Sequence, residues 1–78
     1  MYDVQMPKFG MTMESGEISE WFVREGDKVT KGQALCEISS EKITNSLECY
    51  TNGTIEKILV EEGEEANIGD VIAIIKED

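Results

Sequence analysis

The sequence predicts an all-β domain: a flattened β-barrel or sandwich of two four-stranded antiparallel sheets with internal pseudo-twofold symmetry. Three observations predict it. The first is a motif written twice. A slide of 37 residues (53 minus 16) superposes Gly16 on Gly53, Ile18 on Ile55, Val23 on Val60 and Glu25 on Glu62. It also superposes Gly26 on Gly63, Gly32 on Gly69, Leu35 on Ile72 and Ile38 on Ile75. Glycines and apolar residues coincide, and these are the positions that set turns and cores. The second observation is a succession of short β-prone runs separated by turn residues. The third is length: 78 residues make one domain, near the lower limit for a self-sufficient core.

The elements follow in order. Tyr2 to Met6 alternates and stops at Pro7, which has no N–H for a central ladder. Lys8 to Ser15 reads as a loop around Gly10. Glu17 to Val23 is the next strand, followed by the turn Arg24-Glu25-Gly26-Asp27. A short extended piece through Val29 ends at Gly32, and Ala34 to Ser40 forms another strand. Ile43 to Tyr50 returns after a tip at Lys42, and Asn52-Gly53 is a turn signal. The second copy then repeats the first as Thr54 to Val60, a turn at Glu62-Gly63, a short piece to Gly69, and Val71 to Lys76.

Helix competes for Glu56 to Glu65, which is rich in helix formers. The aligned segment Ser19 to Lys28 contains Trp21, Phe22, Val23 and Gly26, and such residues favour a strand. In both copies the apolar spacing slips out of alternation, from Ile18 to Trp21 and from Ile55 to Ile58. A shared β-bulge accounts for that slip. The expected core is Val4, Met6, Ile18, Val23, Val29, Leu35, Cys36, Ile38, Leu47, Cys49, Ile55, Val60, Val71 and Ile75. Each such side chain contributes ~1.5–3 kcal/mol on burial, before chain entropy is subtracted. If Lys42 and Ile43 are the central residues of the turn, Cys36 faces Cys49 across the hairpin.

Composition excludes several functions. The net charge of −10, from 17 acids and 7 bases, argues against nucleic acid and against an anionic membrane surface. No apolar run approaches the ~18 residues of a membrane span, and no signal-peptide pattern opens the chain. Cys36 and Cys49 make neither a disulfide framework nor a zinc site, so buried free thiols in a reducing compartment are expected. The absence of histidine removes the usual general base and the commonest metal ligand. With the acids scattered on turns and strand faces, no paired constellation for acid–base or metal chemistry emerges, and no catalytic residue is assigned.

Attention falls instead on Lys42, in the segment between the two copies. It lies on their connection, the arms carry apolar Ile38 and Leu47, and Glu41 supplies an adjacent charge. An amine on a stiff tip suits a carrier of a covalent group.

The pattern Gly26-x-x-Val29, Leu35-x-x-Ile38-x-x-Glu41-Lys42-Ile43-x-x-x-Leu47, Gly53-x-Ile55 resembles the lipoyl domains of 2-oxo acid or acetoin dehydrogenase complexes. The opening Met6-Pro7-Lys8-Phe9-Gly10-Met11-Thr12-Met13-Glu14-Ser15-Gly16 is similar to that family's first strand and loop. The resemblance runs from about Val4 to Ile75, with the eleven-residue spacing from Lys42 to Gly53. The family's Asp-Lys-Ala tip is here Glu41-Lys42-Ile43, and Ser40 stands where threonine is usual.

The resemblance implies a barrel-sandwich hybrid spanning residues 1–78, with its core at about 4–76. It implies lipoic acid in amide linkage to Lys42, with Glu41, Ile43, Phe9, Met11 and Met13 as recognition residues. Implied partners are a lipoate–protein ligase or octanoyl/lipoyl transferase, a thiamine-diphosphate-dependent decarboxylase, an acyltransferase catalytic domain and dihydrolipoyl dehydrogenase. The chemistry is thiol–disulfide and thioester exchange on the cofactor, and the polypeptide presents it. The implied location is a cytoplasm, or a mitochondrial matrix in a eukaryote. The nearest alternative is a biotin carrier, whose lysine is typically flanked by methionines; Lys42 has Glu41 and Ile43.

Overall fold

A computed structural model describes residues 1–11, 13–40 and 43–78. Among them the chain forms eight strands: β1 (Tyr2–Gln5), β2 (Ser15–Trp21), β3 (Lys28–Val29), β4 (Ala34–Ser40), β5 (Ile43–Glu48), β6 (Gly53–Ile58), β7 (Glu65–Asn67) and β8 (Val71–Glu77). They build two antiparallel four-stranded sheets, ordered β1-β8-β6-β3 and β5-β4-β2-β7. Adding 37 to Ala34–Ser40 gives Val71–Glu77, so β4 maps onto β8. The same shift carries β2 onto β6 and β3 onto β7, and β1 then takes the place of β5. The two sheets are copies of each other.

The repeat extends to irregularities. Pairing slips between Ile18 and Glu20 in β2, and between Ile55 and Lys57 in β6. Each bulge holds one extra residue, Ser19 or Glu56, and produces the broken alternation of the sequence. The halves also exchange backbone bonds. Gly26 N–H donates to the Ile55 carbonyl and Gly63 N–H to the Ile18 carbonyl, both at 2.8 Å. Those two glycines have φ of 91° and 84°, a backbone that side chains with a Cβ adopt only under strain.

A single core fills the space between the sheets. Twelve of its fifteen buried apolar residues stand among those expected, and no polar side chain is buried among the described residues. Val60 and Val71 are only partly buried, whereas Ile72, Ala73 and Ala66 are buried. In β8 the reason is a register shift between Val4 and Gln5 where β1 meets it, and β4 has its counterpart between Ala34 and Cys36. At each, two successive residues turn inward: Leu35 with Cys36, and Ile72 with Ala73. The first pair stood in the expected core, and the second did not.

Strand ends also differ from expectation. β2 starts two residues early because Ser15 and Gly16 pair with β7, at Asn67 and Ala66. It stops at Trp21 rather than Val23, and β6 stops at Ile58 rather than Val60. At both ends a side chain from the other half takes the backbone N–H. β5 ends at Glu48 rather than Tyr50.

Candidate functional site

β4 and β5 form a regular hairpin with the register Ser40↔Ile43, Ser39↔Thr44, Ile38↔Asn45, Glu37↔Ser46 and Cys36↔Leu47. The chain therefore has two residues, Glu41 and Lys42, in which to pass from one paired strand to the next. Both lie outside the described residues, as does Thr12. Ile38 and Leu47 are buried in the common core and anchor the two arms. The register differs by two residues from the arrangement that would set Cys36 opposite Cys49. Cys36 instead faces Leu47, and both thiols are free and buried.

The loop between β1 and β2 runs beside the hairpin. A Cβ built on Gly10 would stand 3.6 Å from Ile43 Cδ1, so this backbone passes in contact range of Ile43. Between loop and hairpin lies an open groove of about 500 Å³, lined in part by Gly10, Met13, Glu14, Glu17, Ser40 and Ile43. Within the loop, Met13 N–H donates to the Gly10 carbonyl at 3.2 Å, and Phe9 N–H points at Met13 Sδ at 3.4 Å.

The loop residues singled out by sequence separate into two kinds. Phe9 and Met13 are partly buried and pack against the core, while Met11 is 93% exposed. Ile43 is 42% exposed at the start of β5. Sequence reasoning missed the groove's hydroxyls and carboxylates, Ser39, Ser40, Glu14, Glu17 and Glu65. They come from three separate stretches, residues 14–17, 39–40 and 65, and no local pattern joins them.

Among the described residues no group of three His, Cys, Asp or Glu side chains could hold a metal ion. Burial pushes the Cys36 thiol up to about 12, so it is protonated and unreactive at neutral pH. Also among the described residues, no helix is long and apolar enough to cross a membrane.

Two repeated sheets closed over one core, with a two-residue connection between paired strands, define a barrel-sandwich hybrid. The family model described as "Biotin-requiring enzyme", of the biotin/lipoyl type, matches residues 2–75, and the chain belongs to that family. It is 44% identical over 77 residues to "Dihydrolipoyllysine-residue acetyltransferase component 2 of pyruvate dehydrogenase complex, mitochondrial" of Arabidopsis thaliana. That match covers 97% of this chain and 14% of the plant protein. It is 46% identical over 72 residues to the dihydrolipoyllysine-residue acetyltransferase component of the acetoin cleaving system of Bacillus subtilis, covering 92% and 18% respectively. The chain thus spans less than a fifth of these relatives. The solution structure of the lipoyl domain of the 2-oxoglutarate dehydrogenase complex from Azotobacter vinelandii superposes with a TM-score of 0.79. It covers 96% of this chain and 95% of that one at 21% identity, a likeness of fold.

Proposed function

We propose that residues 1–78 act as a lipoyl carrier domain, with lipoic acid in amide linkage to Lys42. The observation that carries this reading is the Ser40↔Ile43 pair, which leaves Glu41-Lys42 as the entire connection between two anchored strands. A carrier needs an amine that an enzyme can reach and a frame that holds it still. The buried Ile38 and Leu47 supply the frame, and the exposed Ile43 and Thr44 flank the approach.

In the attachment step the Lys42 amine attacks an activated acyl carbonyl, the activating group leaves, and the nitrogen loses a proton. The amide removes one positive charge, taking the domain from −10 to −11. When bound, the lipoyl group supplies a disulfide that can be reduced, acylated and reoxidised. The polypeptide then determines who may approach. Glu41 and Ile43 flank the modified position and Met11 projects from the neighbouring loop, so these three are the recognition residues this reading favours. Phe9 and Met13 support the loop from beneath.

The relatives' names support a parent complex that oxidises a 2-oxo acid or acetoin. Its partners are then a lipoate–protein ligase or octanoyl/lipoyl transferase, a thiamine-diphosphate-dependent decarboxylase, an acyltransferase and dihydrolipoyl dehydrogenase. A cytoplasm, or the mitochondrial matrix in a eukaryote, is the setting that fits. Tethered to such a complex, the domain meets its partners at an effective concentration in the mM range, so weak docking is sufficient. Intact-mass measurement on protein from its native host tests the reading. A lipoyl increment is expected; a biotinyl increment, or none, overturns it.

A further inference from the structure

We propose that the outer edge of β5 is a docking strand, to which the enzyme that acylates Lys42 adds an extended segment of its own. This rests on the carrier reading above. β5 is the last strand of its sheet, with β4 as its only hydrogen-bonded strand partner among the described residues. Its six residues make it the longest edge strand there, against four in β1, three in β7 and two in β3. Open edges are ordinarily blunted by lysine, proline or shortness. β1 runs into Pro7, whereas Ile43–Glu48 has neither a lysine nor a proline.

The direction of its backbone groups follows from its end. Cys49 N–H donates to the Gln33 carbonyl and the Cys49 carbonyl accepts from Gly32 N–H, both at 2.7 Å, so both its groups face the β4 side. Burial alternates without a break from Thr44 to Cys49, the signature of a regular strand. Leu47, Asn45 and Ile43 therefore also face β4, and the N–H and C=O groups of Thr44, Ser46 and Glu48 face outward. That outward row begins two residues from Lys42.

The occupant follows from reach. The lysine amine stands on a four-carbon stem, so an enzyme acting on the amine itself must come within one side chain of the hairpin backbone. Enzymes that use the far end of an acylated arm need not approach so closely. A second copy of this domain is disfavoured on the same edge by the charge of −10 on each.

The test combines kinetics and amide exchange, with lipoate–protein ligase, ATP and lipoate as the probe. Ser46→Pro removes one outward N–H while leaving the β4 ladder intact, a place where edge strands tolerate proline. Its rate of modification is expected to fall at least tenfold, with Ser46→Ala unchanged. Independently of any variant, the Thr44, Ser46 and Glu48 amides of the wild-type domain should exchange quickly alone and become protected with ligase bound. A modified wild-type Lys42 with those amides still unprotected overturns the edge proposal alone. A wild-type Lys42 that is never acylated overturns the carrier reading, and this inference with it.

Discussion

The Glu25 carboxylate accepts a hydrogen bond from the backbone N–H of Ile58 at 2.9 Å, reaching from the turn of one half into the strand of the other. Its counterpart under the 37-residue shift, Glu62, does the same for Trp21 at 3.0 Å. Each contact caps the point where a bulged strand leaves its ladder. Together they explain why both copies of the repeat carry an acid immediately before the turn glycine, Gly26 or Gly63.

Removing either carboxylate is expected to leave a backbone donor without its partner. Glu25→Ala and Glu62→Ala should each cost about 1 kcal/mol, the net worth of an accessible hydrogen bond. In a domain of this size that is a fall in Tm of roughly 4–8 °C. Glu25→Gln retains an acceptor oxygen and should recover most of the loss. Thermal unfolding of the three variants checks this; an inert Glu25→Ala contradicts the capping role.

Two glycines of the second copy should respond differently to substitution. A Cβ on Gly53 would press on the Lys76 carbonyl oxygen and stand 2.9 Å from Ile75 Cγ2. Backbone cannot yield as a flexible side-chain end does, so Gly53→Ala should cost about 3 kcal/mol or more, at the upper end of overpacking. Gly63 has open space around it and only its φ of 84° to defend. Gly63→Ala should cost about 1–2 kcal/mol, and Gly63→Asn less, because Asn tolerates the left-handed region. Urea midpoints of the three proteins test the ranking.

Alkaline pH should destabilise the domain through Cys36. Burial favours the neutral thiol in the folded state, raising it to about 12, while the unfolded chain ionises near the ordinary value of about 8.5. Between those values the folded state holds more protons than the unfolded one, so stability declines as pH rises. The contribution is fully present below about pH 8.5 and is lost progressively up to about pH 12. In Cys36→Ala the decline should flatten. Unfolding free energies measured from pH 8 upward decide; identical slopes for the two proteins contradict the assignment.

Met11 and Met13 offer a separation of folding from recognition. Met13→Ala removes a side chain packed against the core and should destabilise the domain by about 1–3 kcal/mol. Met11→Ala should leave Tm unchanged, since that side chain is 93% exposed, and should alter only the rates at which partner enzymes use the domain. Comparing Tm with modification rate for both variants is the check.

Much of this architecture was legible because duplication leaves two independent copies of each signal. Gly26 and Gly63, Ile18 and Ile55, and the bulges at Ser19 and Glu56 reinforce one another. What escaped depended on pairing between distant segments. The Ser40↔Ile43 register belongs to the pairing of β4 with β5 along their length, and the turn's own sequence does not reveal it. Ile72 and Ala73 face inward together because β1 shifts register beside them, which no alternation within β8 announces. The groove beside the hairpin was invisible for the same reason. Lys42 stood out through its position between the copies, an organisational feature rather than a chemical one.

The central claim is that one lysine of six carries the group. Tandem mass spectrometry of the domain after incubation with lipoate–protein ligase, ATP and lipoate tests it most directly. A lipoyl increment is expected on the fragment containing Lys42, with Lys8, Lys28, Lys31, Lys57 and Lys76 unmodified and Lys42→Arg inert. A lipoyl increment on any other lysine, or on the Lys42→Arg protein, would contradict it.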